Sequence, residues 1–117
     1  MGDSVRPLTF GYLRLWPDEA ADGGSGLVEE IEAFATREGM TLADVFTDPF
    51  DPAVDEPDRA GFCALMDALR RCHPSTVIVP SPDHLSRHPG GRRNCRVLIE
   101  HEAGARLHIV HAESGRP

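Results

Sequence analysis

Lysine is missing from this sequence: all twelve basic residues among its 117 are arginine. That is a bias of composition and by itself names no mechanism. Long apolar runs are missing too, since no stretch of about 18 apolar residues exists to span a bilayer. Met1 to Leu8 carries Asp3 and Arg6, with neither the apolar core nor the small-residue cleavage site of a secretory signal. A cytoplasmic protein without a membrane partner is expected. Paired cysteines are also lacking. Cys63, Cys72 and Cys95 are an odd number without C-x-x-C spacing, which argues against a disulfide framework and against a zinc knuckle. Reduced, structural thiols are expected. There is no internal repeat and no low-complexity segment.

What is present suits one soluble domain, 40% hydrophobic and 26% charged. The length suffices for one core and not for two, so residues 1–117 are expected to form a single domain with its core over 8–110. The net charge of −7 hides an asymmetry. Residues 1–58 hold 14 Asp/Glu against 3 Arg, whereas residues 59–117 hold 9 Arg against 5 Asp/Glu together with all six histidines. An acidic total repels a polyanion at long range, yet a local arginine cluster still contacts phosphate at close quarters.

The hydrophobic pattern alternates between strands and helices. Leu8 to Leu15 (LTFGYLRL) reads as a strand that stops at Trp16-Pro17. Asp18 to Ser25 reads as a loop. From Ser25, a candidate N-cap, Leu27, Ile31 and Phe34 recur at helical spacing, with Glu29 and Glu30 placed near the helix start and Gly39 ending the helix. Thr41 to Thr47 is a second strand, followed by a long acidic loop whose prolines end any ladder. A second helix starts near Asp58 and presents Phe62, Leu65, Met66 and Leu69 before Pro74. Thr76 to Val79 (TVIV) has the continuous apolar character of a strand buried on both faces. Pro80 to Gly91 reads as a loop, Arg92 to Glu102 as a third helix stopped by Gly104, and Arg106 to Val110 as a fourth strand. This order predicts an α/β fold: a three-layer α/β/α sandwich with right-handed crossovers around a mostly parallel sheet of four to five strands. Chemistry in such sheets collects at the carboxyl ends of the strands.

The residues at those ends form a pattern. Gly11-Tyr12-Leu13-Arg14-Leu15 closes the first strand, Asp48 follows the second, Asp58-Arg59 opens the second helix, and Ser81-Pro82-Asp83-His84-Leu85-Ser86-Arg87 follows the third strand. In order and spacing this resembles the catalytic domain of serine recombinases, the resolvases and invertases of DNA recombination. Their signatures are commonly written G-Y-x-R-V-S and D-R-L-[SG]-R. The resemblance covers roughly Leu8 to Val110 and implies a resolvase-catalytic-domain-like fold. In that family a serine at the end of the first strand attacks a DNA phosphodiester while arginines surround the phosphate. Guanidinium groups suit that task because charge grows on the non-bridging oxygens. The resemblance assigns Arg14, Arg59 and Arg87 to the arginine positions. It assigns Asp48 and Asp83 to carboxylates that orient them, and adds Tyr12 and His84 to the same residual anion pocket.

Three departures bear on activity. Trp16 stands where the resemblance places the nucleophile, and an indole N–H donates a hydrogen bond but cannot attack phosphorus. His84 replaces the first arginine of the D-R-L-S-R motif and supplies less positive charge at neutral pH. The sequence ends seven residues after Val110, without the long dimerising helix or the helix-turn-helix domain that the resemblance would supply. Ser25 is a conceivable substitute nucleophile, better explained as a helix cap.

The expected function is therefore that of a serine-recombinase-like pseudoenzyme, silent in strand exchange and acting through a protein partner, self-association or residual phosphate and DNA binding. Two alternatives stay open: an active recombinase or nuclease component completed by another chain, and a small-ligand sensor using the crevice of the sheet. Arg14, Arg59 and Arg87 serve either as an anion pocket or as structural ion pairs with Asp48 and Asp83. Arg92, Arg93 and Arg96 form a possible polyanion surface or a solvated helix face. Asp48, Asp51 and Asp55 lack the Gly and terminal Glu of a calcium loop, and His84/His88 and Cys72-His73 lack zinc spacing, so neither metal nor cofactor is expected.

Overall fold

A computed structural model describes residues 7–50 and 59–111. Asp51, Asp55 and Asp58 lie outside the described residues, as does most of the amino-terminal segment read against a signal peptide. The described residues form four strands, β1 (Leu8–Leu15), β2 (Thr41–Pro49), β3 (Ser75–Val79) and β4 (Arg106–Ile109). The helices are α1 (Pro17–Ala20), α2 (Ser25–Arg37), α3 (Ala60–Arg71) and α4 (Pro89–Val97); a 3₁₀ turn spans Pro82–His84 and a π turn spans Leu98–Glu102. The sheet is parallel throughout, in the order β2-β1-β3-β4. The expected α/β class is thus observed with four strands.

Side-chain alternation along β1 builds the two interior layers. Phe10 and Tyr12 face one side, where Val77 and Val79 of β3 pack with Phe62, Leu65, Met66 and Leu69 of α3 and with Cys95 and Ile99. Leu13 and Leu15 face the other, where Ile78 meets Ile31 and Ala35 of α2. Helices therefore cover both faces, as a sheet with buried faces requires. The three cysteines are separate free thiols.

Several boundaries differ from the sequence reading, each for a local reason. Asp18 to Ser25 is not all loop, because Pro17 sits at the first position of the short helix α1, where a missing N–H costs nothing. The cap of α2 is Gly24 and not Ser25. Gly24 adopts φ +71°, and the Asp22 carboxylate accepts from the N–H groups of Gly24 (3.0 Å) and Ser25 (3.4 Å). The Ser25 hydroxyl turns to the same carboxylate at 3.2 Å. Glu29 and Glu30 fall beyond the first turn. β2 runs on to Pro49, since proline is tolerated on an edge strand, and the Phe50 N–H still donates to the Leu15 carbonyl at 2.7 Å. The third helix begins at Pro89, again a proline in the first turn, so Pro80 to Gly91 is not all loop.

Strand register creates the site. β1 pairs with β2 along its whole length, from Leu8 opposite Thr41 to Leu15 opposite Pro49. Against β3 it pairs only over Leu8–Gly11. The chain leaves β1 for β2 on one side and continues to β3 and β4 on the other, so the gap that opens past Gly11 is the switch point of the sheet.

Candidate functional site

Asp48 sits at the end of β2, nearly inaccessible to solvent. Its carboxylate accepts from the Tyr12 hydroxyl (2.6 Å) and from the backbone N–H groups of Gly61 (2.6 Å) and Phe62 (2.8 Å). It therefore caps α3 from another element and satisfies two of the donors that a helix start leaves open. Gly61 is required there, because a Cβ would overlap the Thr47 carbonyl.

Tyr12 is fully buried, and its phenol is held well above its ordinary value, first by burial and then by its bond to Asp48. A raised folded value means that stability is intact below pH 10 and falls as the unfolded phenol begins to ionise. We expect unfolding free energy to drop by about 1.4 kcal/mol per pH unit above pH 10. A Tyr12→Phe variant will lack that slope. Tyr12 is the only tyrosine, so tyrosinate absorbance will report ionisation upon unfolding.

Arg59, just before α3, donates from Nη1 (3.1 Å) and Nη2 (3.0 Å) to the Leu85 carbonyl and lies over the Phe62 ring at 4.9 Å. It ties the α3 start to the loop after β3. The Cys95 thiol donates to the same carbonyl at 3.4 Å, and burial pushes it up from its usual value.

Arg14 is only 6% exposed, its Nε, like that of Arg59, has no hydrogen-bond partner among the described residues, and no ion pair among them includes it. Its guanidinium rests on the Phe50 ring at 4.9 Å. Burial, and after it the like charge of Arg59, lowers its pKa. Its backbone N–H, freed from β3 by the divergence of the strands, donates to His84 Nδ1 at 3.0 Å. An accepting Nδ1 places the proton of the neutral ring on Nε2.

Two roles read from the sequence need correction. Asp48 orients none of the three arginines by direct contact, being consumed by Tyr12 and the α3 start. Asp83 pairs with Arg92 at 2.7 Å and does not serve Arg14, Arg59 or Arg87 through an ion pair among the described residues. Among the described residues, no ion pair joins those arginines to Asp48 or Asp83. Arg87 is exposed and lies over the rings of Phe50 (5.2 Å) and Trp16 (5.6 Å).

These residues border a cleft of about 770 Å³ at the carboxyl ends of β1, β3 and β4. Its walls include Arg14, Trp16, Phe50, Ser81, Asp83, His84, Arg87 and Arg92, together with Glu19, which accepts the Trp16 backbone N–H at 2.9 Å, and the Glu30–His111 pair at 2.7 Å. Trp16 packs against Phe50 with ring centres 4.3 Å apart and the planes tilted by 54°. Tyr12, Asp48 and Arg59 stand behind this wall, outside the cleft lining. Arg93 and Arg96 are exposed on α4, also outside it. The sequence reading missed Phe50, Glu19, Glu30, His111 and the position of Ser81. Only Phe50 carried a signal, as an aromatic residue between two Asp-Pro steps. Among the described residues, no group of three or more His, Cys, Asp or Glu is placed to hold a metal ion. None of their helices is long and apolar enough to cross a membrane.

A parallel α/β sheet with an arginine-bearing cleft at its switch point defines the class. Within that class the chain belongs to the resolvase N-terminal domain family, whose model matches residues 9–115. Solved structures share the fold at low identity. A resolvase family site-specific recombinase from Streptococcus pneumoniae superposes with a TM-score of 0.71 at 16% identity, over 90% of this chain and 72% of that one. The first open reading frame of a transposon from Sulfolobus solfataricus P2 gives 0.68 at 19%, covering 93% and 71%. The N-terminal catalytic domain of TP901-1 integrase gives 0.65 at 20%, covering 88% and 76%. Among proteins of curated function, none matches this sequence.

Proposed function

We propose that this chain is a resolvase-type domain that binds phosphate groups at the carboxyl edge of its sheet without transferring them, and so acts by docking onto DNA or a phosphorylated partner. The observation that carries the reading is Arg14. A guanidinium 6% exposed with no acceptor at Nε is costly in isolation, and an anion in the cleft compensates it. Arg87, held among the described residues by aromatic faces and by no ion pair, can turn toward the same anion. The absence of transfer follows from Trp16, which closes β1 with a side chain unable to form a phosphoester.

Anisotropy of a labelled duplex at low and then moderate salt tests the reading. Binding is expected to weaken with salt and to fall by about tenfold or more in an Arg14→Ala, Arg87→Ala variant, each lost charge-assisted contact being worth roughly 1.5–3 kcal/mol. Circular dichroism of that variant checks that it folds. Denaturing electrophoresis of the same mixtures is expected to show no covalent protein–DNA adduct. An adduct, or binding indifferent to both arginines, overturns the proposal.

A further inference from the structure

The cleft is far larger than a lone phosphate needs, and its wall beside Arg14 is aromatic. Trp16 and Phe50 stand 4.3 Å apart, and the planar guanidinium of Arg87 covers both rings. Among the described residues no carboxylate pairs with Arg87, which is exposed and held by ring faces alone. A surface that accepts one flat π-system accepts another, and a base displaces such a cation without breaking an ion pair. Glu19 and Glu30 also line the cleft, where one Glu19 oxygen accepts the Trp16 backbone N–H and one Glu30 oxygen pairs with His111. The volume of about 770 Å³ lies within the range of small-molecule pockets, roughly 300–1,000 Å³.

From this arrangement we infer that the cleft is a nucleoside-phosphate site, in which the base stacks on Trp16 and the phosphate sits between Arg14 and the displaced Arg87. The inference rests on the anion reading above and adds the stacking wall to it. Its ligand chemistry is shared by a free mononucleotide and by the phosphorylated end of an unpaired strand.

Calorimetric titration of the whole chain with adenosine 5′-monophosphate, ribose 5-phosphate and inorganic phosphate separates the two claims. The nucleotide is expected to bind about tenfold or more tightly than ribose 5-phosphate, the gain that base–aromatic stacking provides. Because Trp16 is the only tryptophan, its fluorescence is expected to change with the nucleotide and much less with inorganic phosphate. Trp16→Leu is expected to erase the preference for the base while leaving phosphate binding in place, and Trp16→Phe to retain most of it. Equal affinity for nucleotide and ribose 5-phosphate overturns the stacking site and leaves the anion site standing. No binding of any phosphate overturns both. A 5′-phosphorylated single-stranded oligonucleotide binding more tightly than the mononucleotide assigns the site to strand ends, and equal binding assigns it to free nucleotides; either supports the inference.

Discussion

An Arg14→Met variant will melt at a higher temperature than the wild-type chain in phosphate-free buffer, and inorganic phosphate will no longer raise its melting point. The two effects share one cause. Arg14 holds its charge in a site that is 94% shielded from water, without an acceptor at Nε and with Arg59 repelling it. Methionine fills similar volume, rests on Phe50 as the guanidinium does, and carries no charge to desolvate. Replacing buried ionic groups by apolar residues of similar size is neutral to stabilising by about 1–4 kcal/mol. Taking about 1–2 kcal/mol, the melting temperature rises by about 5 °C. In wild type, phosphate at about 100 times its dissociation constant adds about 2.7 kcal/mol, so the order of the two proteins reverses as phosphate is added. Differential scanning fluorimetry across a phosphate series reads the crossing. A variant less stable than wild type at every phosphate concentration would show Arg14 to be a structural residue, satisfied without a ligand.

The fold was legible because hydrophobic period is a local property. TVIV could only be a doubly buried strand, and Phe62, Leu65, Met66 and Leu69 could only line one face of a helix; both readings match the observed core. Boundaries were harder because they depend on what the backbone finds beyond its own segment. Pro49 stays in β2 because it lies on an edge strand. Ser25 lost its cap role to Gly24 because Asp22 reaches both N–H groups. The cleft lining was legible only in part, and its wiring was not: Tyr12, Asp48 and Arg59 do not line it. Arg14, His84, Arg87 and Trp16 do meet at one cleft, as the strand ends implied. Yet no spacing rule reveals that Asp48 turns toward the α3 start, that Asp83 prefers Arg92, or that Phe50 returns beside Trp16. Those pairings join residues brought together from separate elements, which no local sequence pattern encodes.

Replacing Asp48 by alanine will produce the largest loss of stability, and this distinguishes the two roles open to that carboxylate. The side chain accepts three hydrogen bonds, from the Tyr12 hydroxyl and the Gly61 and Phe62 N–H groups. Alanine leaves these donors facing a buried gap. Each bond to a charged acceptor contributes about 1.5–3 kcal/mol, and an unsatisfied buried donor costs about 1–3 kcal/mol. Water entering from the α3 end recovers part of this, so a net loss of about 3 kcal/mol is expected, or about 12 °C in melting temperature. Against a total of about 5–15 kcal/mol for a domain, that is a large share. Tyr12→Phe, which removes one donor and leaves the helix cap, will cost only about 1 kcal/mol. The phenol will also ionise at lower pH in folded Asp48→Ala, since one of the two leading causes of its elevation is gone. Phosphate affinity of the folded variant will be unchanged or slightly tighter, because the lost charge is negative and near Arg14 without touching it. If affinity instead falls tenfold while stability holds, Asp48 positions the arginines after all, and the helix start must find its acceptor elsewhere.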